Sequence, residues 1–220
     1  IILVRVLFII NWKYFLDSDE SVVGVMAKHI LEGKGFPIFY YGQAYMGTLE
    51  QYTTALFFKI FTISPLVLKM VPLFYFILTI LFLYRIVEKY CKKNGLYLLL
   101  FFIFPPLFSI VWTLKARGGF IEIVFLSVLF LNCLLEYKSR GKVVYIYLAS
   151  LIAGFSIYIN ALCIPFLLVA TYILFLDSAV VKHIRKFSPK NMYYSMLLFI
   201  LGAFPILLFE LLNKGNYRVD

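Results

Sequence analysis

Residues 65–87 form a predominantly apolar run as long as a bilayer is thick, and it is not alone. A hydrocarbon core of about 30 Å needs roughly 20 apolar residues per helix. Further apolar runs stand at 1–14, 95–113, 118–136, 143–159, 161–176 and 192–212. Backbone N–H and C=O groups find no water in lipid, so such runs close their hydrogen bonds internally, as helices. Barrel strands would alternate apolar and polar residues, and these runs do not. The expected fold class is all-α: a polytopic transmembrane helical bundle of about seven spans, forming one domain over residues 1–220. Composition agrees, because 63% of the chain is hydrophobic, against about 45–50% in soluble domains.

Two of these runs leave an ambiguity. Asn160 and Pro165 either separate two short spans, 143–159 and 161–176, or kink one long helix. Charge arbitrates. If the first span runs from inside to outside, the inner loops hold Arg85, Lys89, Lys92 and Lys93, then Lys138, Arg140 and Lys142, then Lys182, Arg185, Lys186 and Lys190. That is eleven of the 21 basic residues. The positive-inside rule favours this orientation, which requires two crossings between 143 and 176. The net charge of +10 then reflects cytoplasmic loops rather than nucleic-acid binding. The polar segment 15–64 and the loop "LKARGG" at 114–119 face outward.

The chain is apolar from Ile1 and has no initiator Met. With no basic leader and no small-residue cleavage site, a signal peptide is not expected; the sequence reads as a fragment of a longer protein. Cys91, Cys133 and Cys163 are scattered, which points to structural thiols.

The outer segment 16–50 holds Asp17, Asp19, Glu20, Glu32 and Glu50, five of the eleven acidic residues. Two helices lying on the membrane surface are expected within the first loop. The first spans about 19–32, where Val22/Val23, Met26/Ala27 and Ile30/Leu31 make one apolar stripe, ended by Gly33 and Gly35. The second spans about 46–62, with Leu49, Thr53, Leu56, Phe57 and Ile60 on one side. Between them "FPIFYYGQAY" reads as an aromatic loop suited to the headgroup region.

Asp17-Ser18-Asp19-Glu20 has two readings. Asp17 at the N-cap with Glu20 three residues on makes a capping box; three carboxylates in four positions also exceed what capping needs. Glu50 is either a first-turn acid or a second functional one. His29 and His183 stand apart, so no zinc-type cluster arises. Lys115 and Arg117, followed by Gly118-Gly119, are either interface anchors or an anion site in which Arg presents a forked donor and the glycines expose backbone N–H groups. Glu122 is expected to pair with Lys115 or Arg117. Asn160 and Glu210 carry weaker signals. Acids on one outer loop and cations on another suit transfer from a lipid phosphate. One carboxylate takes the acceptor's proton and the cations hold the phosphate as it leaves. A transporter or flippase for lipid-linked or anionic solutes is the alternative, although such proteins place polar groups on broken helices near the midplane.

These residues carry a resemblance. An apolar span, then "DSDESVVGVMAKHILEG", an aromatic loop, "YGQAYMGTLEQYTTALFFKIF" and "SPLVLKMVPLFY" together resemble the N-terminal membrane part of the GT-C glycosyltransferases, of the type of dolichyl-phosphate-mannose protein mannosyltransferases and lipid A aminoarabinose transferases. "KARGGFIE" and "LGAFPILLFELLN" are similar to later family segments, although the Tyr-Asn usual there is replaced by "FELLN". The resemblance implies a multi-pass protein of a prokaryotic cell membrane. It would be a transferase moving a sugar from a polyprenyl-phosphate donor to a glycan, lipid or protein acceptor on the extracytoplasmic face. It implies catalytic roles for Asp19, Glu20 and Glu50, with Asp19 first as base. Substrate contacts would come from Asp17, Lys115 and Arg117 and from Tyr41, Gln43 and Tyr45 of the aromatic loop. Asp19 and Glu50 are also the expected ligands if a divalent ion takes part; Mg²⁺ or Mn²⁺ suits carboxylate oxygens.

Overall fold

A computed structural model describes residues 2–91, 107–177, 180 and 187–213. These are mostly helical, and they fall into two compact units, residues 1–125 and 126–220.

The first unit opens with α1 (Ile2–Trp12), α2 (Ser18–Leu31), a ribbon of β1 (Phe39–Tyr40) and β2 (Gln43–Gly47), and α3 (Leu49–Ile60). Then come α4 (Pro65–Ile86), extended by a π-turn at Val87–Cys91, then α5 (Leu107–Trp112) and the start of α6 (Phe120–Arg140). Asp17 caps α2 as its spacing predicts. Its Oδ1 accepts the Glu20 N–H at 3.0 Å, and Glu20 Oε2 accepts the Asp17 N–H at 3.3 Å. Ser64 caps α4, with Pro65 at the first helical position, where a missing N–H costs nothing. Arg5 of α1 is buried, its Nε donating to Thr113 Oγ1 at 3.0 Å and its guanidinium lying 3.8 Å over the Phe76 ring.

The stretch expected as an aromatic loop is an antiparallel ribbon, which departs from an all-α fold. Tyr40 pairs with Gln43 across the turn Tyr41-Gly42, where Gly42 takes φ +75°. The aromatic residues favour extended backbone, and glycine supplies the turn. Thr48 Oγ1 donates to the Pro37 and Ile38 carbonyls at 3.0 and 3.2 Å, closing the base of the ribbon. That closure makes α3 begin at Leu49 rather than at 46.

The two loop helices bury different kinds of face. The stripe of α2 does not face outward: Val23, Met26 and Ala27 are buried against Tyr40, Met46, Phe58, Leu68 and Ala116. Conversely, α3 buries Glu50, Gln51 and Thr54 and leaves Leu56 and Ile60 exposed.

Two helices, Pro65–Tyr90 and Phe120–Arg140, are long and apolar enough to cross a membrane. A third candidate is the pair α9 (Pro189–Gly202) and α10 (Phe204–Asn213), bent by 55°. The other expected spans are shorter as helices. α1 has 11 residues, α7 (Val144–Ile159) has 16 and α8 (Ile164–Phe175) has 12. Of the expected span 95–113, residues 95–106 lie outside the described residues, as do Lys92, Lys93, Lys182, His183, Arg185 and Lys186.

In the second unit, Asn160 is extended and ends α7, and its Oδ1 accepts the Leu162 N–H at 3.0 Å. The expected break therefore falls at Asn160. α7 and α9 cross at two glycines: a Cβ at Gly154 would overlap the Phe199 carbonyl, and one at Gly202 the Leu151 carbonyl. Small residues let helix backbones approach this closely in membranes. Cys133 and Cys163 are free and buried, as structural thiols should be.

Candidate functional site

The site is built where the start of α2 meets the segment between α5 and α6. Asp17 Oδ2 accepts from Lys115 Nζ at 2.8 Å and from Arg117 Nη2 at 2.7 Å. One acid of the first loop, Asp17, and both cations of the second thus meet at one oxygen. Partial burial works against ionising Asp17. Hydrogen bonds from Lys115, the Glu20 N–H and Arg117 outweigh it and hold the carboxyl well below the usual carboxylate range. Arg117 also lies 5.0 Å over the Trp112 ring, and that ring packs edge-on against Phe120.

The neighbouring acids have separate fates. Glu20 is fully buried and its Oε1 accepts from Lys69 Nζ at 2.6 Å. Lys69 is itself 5% exposed, so this ion pair is buried on both sides, and removing either partner would strand the other. Asp19 differs: it is partly exposed, and its carboxylate makes no hydrogen bond among the described residues. Its backbone carbonyl accepts from the Tyr40 hydroxyl at 3.1 Å. Burial, then the carboxylates of Asp19, Glu50 and Asp17, push the Tyr40 phenol up.

Glu50 stands in the first turn of α3 and is fully buried. Its Oε2 accepts the N–H groups of Gly118 and Gly119, the second at 3.3 Å. The two glycines adopt φ +77° and +105°, a conformation that points successive N–H groups into one hollow. The glycine hollow read from the sequence as a phosphate seat is therefore filled by the protein's own carboxyl. Burial pushes Glu50 up to about 8, against the pull of the two N–H groups and with Glu20 adding to the rise.

The expected pairing of Glu122 is not observed, because Asp17 takes both Lys115 and Arg117. Glu122 is fully buried one turn into α6, and neither of its oxygens has a hydrogen-bond partner among the described residues.

Between α1, α5 and the top of α4 lies a cavity of about 410 Å³. Phe8, Trp12, Phe15, Ile110 and Leu114 make its apolar walls, and Asp17, Lys69 and Lys115 stand at its polar end. Tyr41, Gln43 and Tyr45 do not line it. They belong to the ribbon, where the Tyr41 hydroxyl lies 3.2 Å from His29 Nδ1 and Tyr45 points outward.

Among the described residues no group of three or more His, Cys, Asp or Glu side chains is placed to hold a metal ion. Of the two expected ligands, Glu50 has its Oε2 taken by two N–H donors, while its Oε1 and the Asp19 carboxylate carry no hydrogen bond among the described residues.

Lys69 and Tyr40 are the site residues the sequence reading missed. Lys69 had a signal: an ionisable group inside an apolar run needs a partner or a function. Tyr40 had none, since five tyrosines and phenylalanines crowd residues 36–45. The chain matches no protein-family model, no curated protein and no solved structure.

Proposed function

We propose that this is a multi-pass membrane glycosyltransferase of a prokaryotic cell envelope. It takes a sugar from a polyprenyl-phosphate donor and passes it to a glycan, lipid or protein acceptor on the extracytoplasmic face. The observation that carries the reading is the meeting of Lys115 and Arg117 on Asp17 at the mouth of an apolar cavity, two residues from an unengaged carboxylate, Asp19. The exposed Leu56 and Ile60 of α3 also support a first loop that rests on lipid.

The reaction needs few parts. An acceptor hydroxyl attacks the anomeric carbon from the face opposite the phosphate. The new C–O bond forms as the bond to the phosphate oxygen breaks, and the polyprenyl phosphate leaves with that electron pair. Asp19 takes the acceptor's proton. Lys115 and Arg117 stabilise charge growing on the phosphate. Inversion follows from a single displacement. Glu20 and Glu50 take structural parts in this scheme, one neutralising Lys69 and the other seating the Gly118-Gly119 turn.

The test is transfer from a synthetic polyprenyl-phosphate sugar by the purified protein in lipid. Asp19→Asn should reduce turnover by at least about 10²-fold, the usual worth of a general base, while leaving donor binding within about twofold. Undiminished turnover in that variant would refute the assigned base. The buried Glu20–Lys69 pair and Glu122 favour a second reading, transport of an anionic lipid, since ionisable groups inside membrane helices often line pathways. Donor that crosses the bilayer of proteoliposomes unchanged, with no product formed, would select it.

A further inference from the structure

We propose that Asp17 occupies the seat of an anionic lipid headgroup, and that the lipid's apolar chain enters the cavity below it. This rests on the reading of the site as one for lipid phosphates. Lys115 and Arg117 converge on a single oxygen of Asp17, at 2.8 and 2.7 Å. An ammonium and a guanidinium meeting at one oxygen is how a phosphate oxygen is held. Asp17, Lys69 and Lys115 line the cavity, and the rest of its wall is aromatic and aliphatic. At about 410 Å³ it is in the range of small-molecule sites, which run to roughly 300–1,000 Å³. One charged end on an apolar pocket matches an amphiphile with an anionic head, and neither a free sugar nor a neutral lipid.

The exchange has a physical direction. The Asp17 side chain is 27% exposed, so its Oδ2 can turn from the two cations to water while Oδ1 keeps the Glu20 N–H. Lys69 is already neutralised by Glu20, which leaves Lys115 and Arg117 as the cations in play. A phosphate monoester brings more charge than one carboxylate and more oxygens to share. Arg117 Nε has no hydrogen-bond partner among the described residues and can serve one of them. Asp17 is therefore a competitor that the headgroup displaces, and it sets how tightly that headgroup binds.

Binding is measured on the full chain in phosphatidylcholine nanodiscs, with farnesyl phosphate as probe and farnesol and inorganic phosphate as comparison arms. Farnesyl phosphate should bind at least about tenfold more tightly than either comparison. Asp17→Asn keeps a good N-cap and should tighten farnesyl phosphate by about tenfold, whereas Lys115→Gln and Arg117→Gln should each weaken it by about as much. Asp19→Asn removes the same charge nearby without touching either cation, and should change binding less than about twofold. Leu114→Trp fills the cavity and should weaken farnesyl phosphate but not inorganic phosphate. Equal binding of farnesol would overturn the headgroup seat, and equal binding of inorganic phosphate would overturn the chain pocket. An Asp17→Asn effect no larger than that of Asp19→Asn would overturn the displacement. The glycosyltransferase reading fails separately: binding as expected with no sugar transfer rejects the enzyme and leaves the lipid site standing.

Discussion

Two carboxyls at this site respond to acid in opposite senses. Asp17 is held ionised, so its contribution is present above the ordinary carboxylate range and is lost only as the pH falls through its depressed value. Glu50 rises from 4.5 to about 8, so its contribution is full below pH 4.5 and is lost as the pH rises through 8. Thermal unfolding in detergent should therefore show the melting temperature falling between pH 5.5 and 8.5. Glu50→Gln should flatten most of that fall, and Asp17→Asn should leave the slope in this window alone. An unchanged slope in Glu50→Gln would assign the effect to another group. The sequence offered Glu50 as a first-turn acid of α3 or a second functional acid. It could not reveal the partner, because backbone N–H groups leave no trace in residue identity. For Asp17 the capping box was legible from spacing alone, while the clamp on Lys115 and Arg117 needed the fold.

At the scale of elements, the existence of α2 and α3 was legible from apolar periodicity, and their orientation was not. A stripe such as Val23–Met26–Ala27 looks the same whether it meets lipid or a neighbouring helix. On α3 Glu50 goes inside because a nearby loop supplies its donors, Gln51, Thr54, Ala55 and Phe58 are buried with it, and Leu56 and Ile60 are left out. The turn before α6 is the hinge of this arrangement. A Cβ at Gly118 would lie 2.8 Å from Tyr40 Cδ2 and 2.9 Å from the Met46 methyl, in a backbone with φ +77°. Gly118→Ala should cost about 2–4 kcal/mol, from strain and overpacking together, and lower the melting temperature by roughly 5–15 °C. Gly35→Ala meets nothing within 4 Å and has an ordinary φ, so it should be near neutral in the same melt. Similar losses in both variants would show that space and φ at Gly118 are not what matters.

For the molecule as a whole, run length marked the apolar stretches and did not show where their helices break. Hydrophobicity persists through Asn160 and through the bend after Gly202, where the backbone breaks, and among the described residues two helices, or three with the bent pair, are long and apolar enough to cross. α6 has 21 residues, and at ~1.5 Å each it is about as long as a bilayer core is thick. It starts at the site and ends beside Lys138 and Arg140. The positive-inside rule then predicts opposite sides for the ribbon and this end. In a variant lacking Cys91, Cys133 and Cys163, a cysteine at Tyr45 should react with an impermeant maleimide from outside, and one at Ser139 only after permeabilisation. Labelling of both from one side would refute the orientation. The bond from Glu50 to Gly118 joins residues 68 positions apart. A ribosome making this chain therefore delivers the outer loop well before the hollow that receives its central carboxyl. Until the next fifty-odd peptide bonds above α3 are made, that loop cannot close.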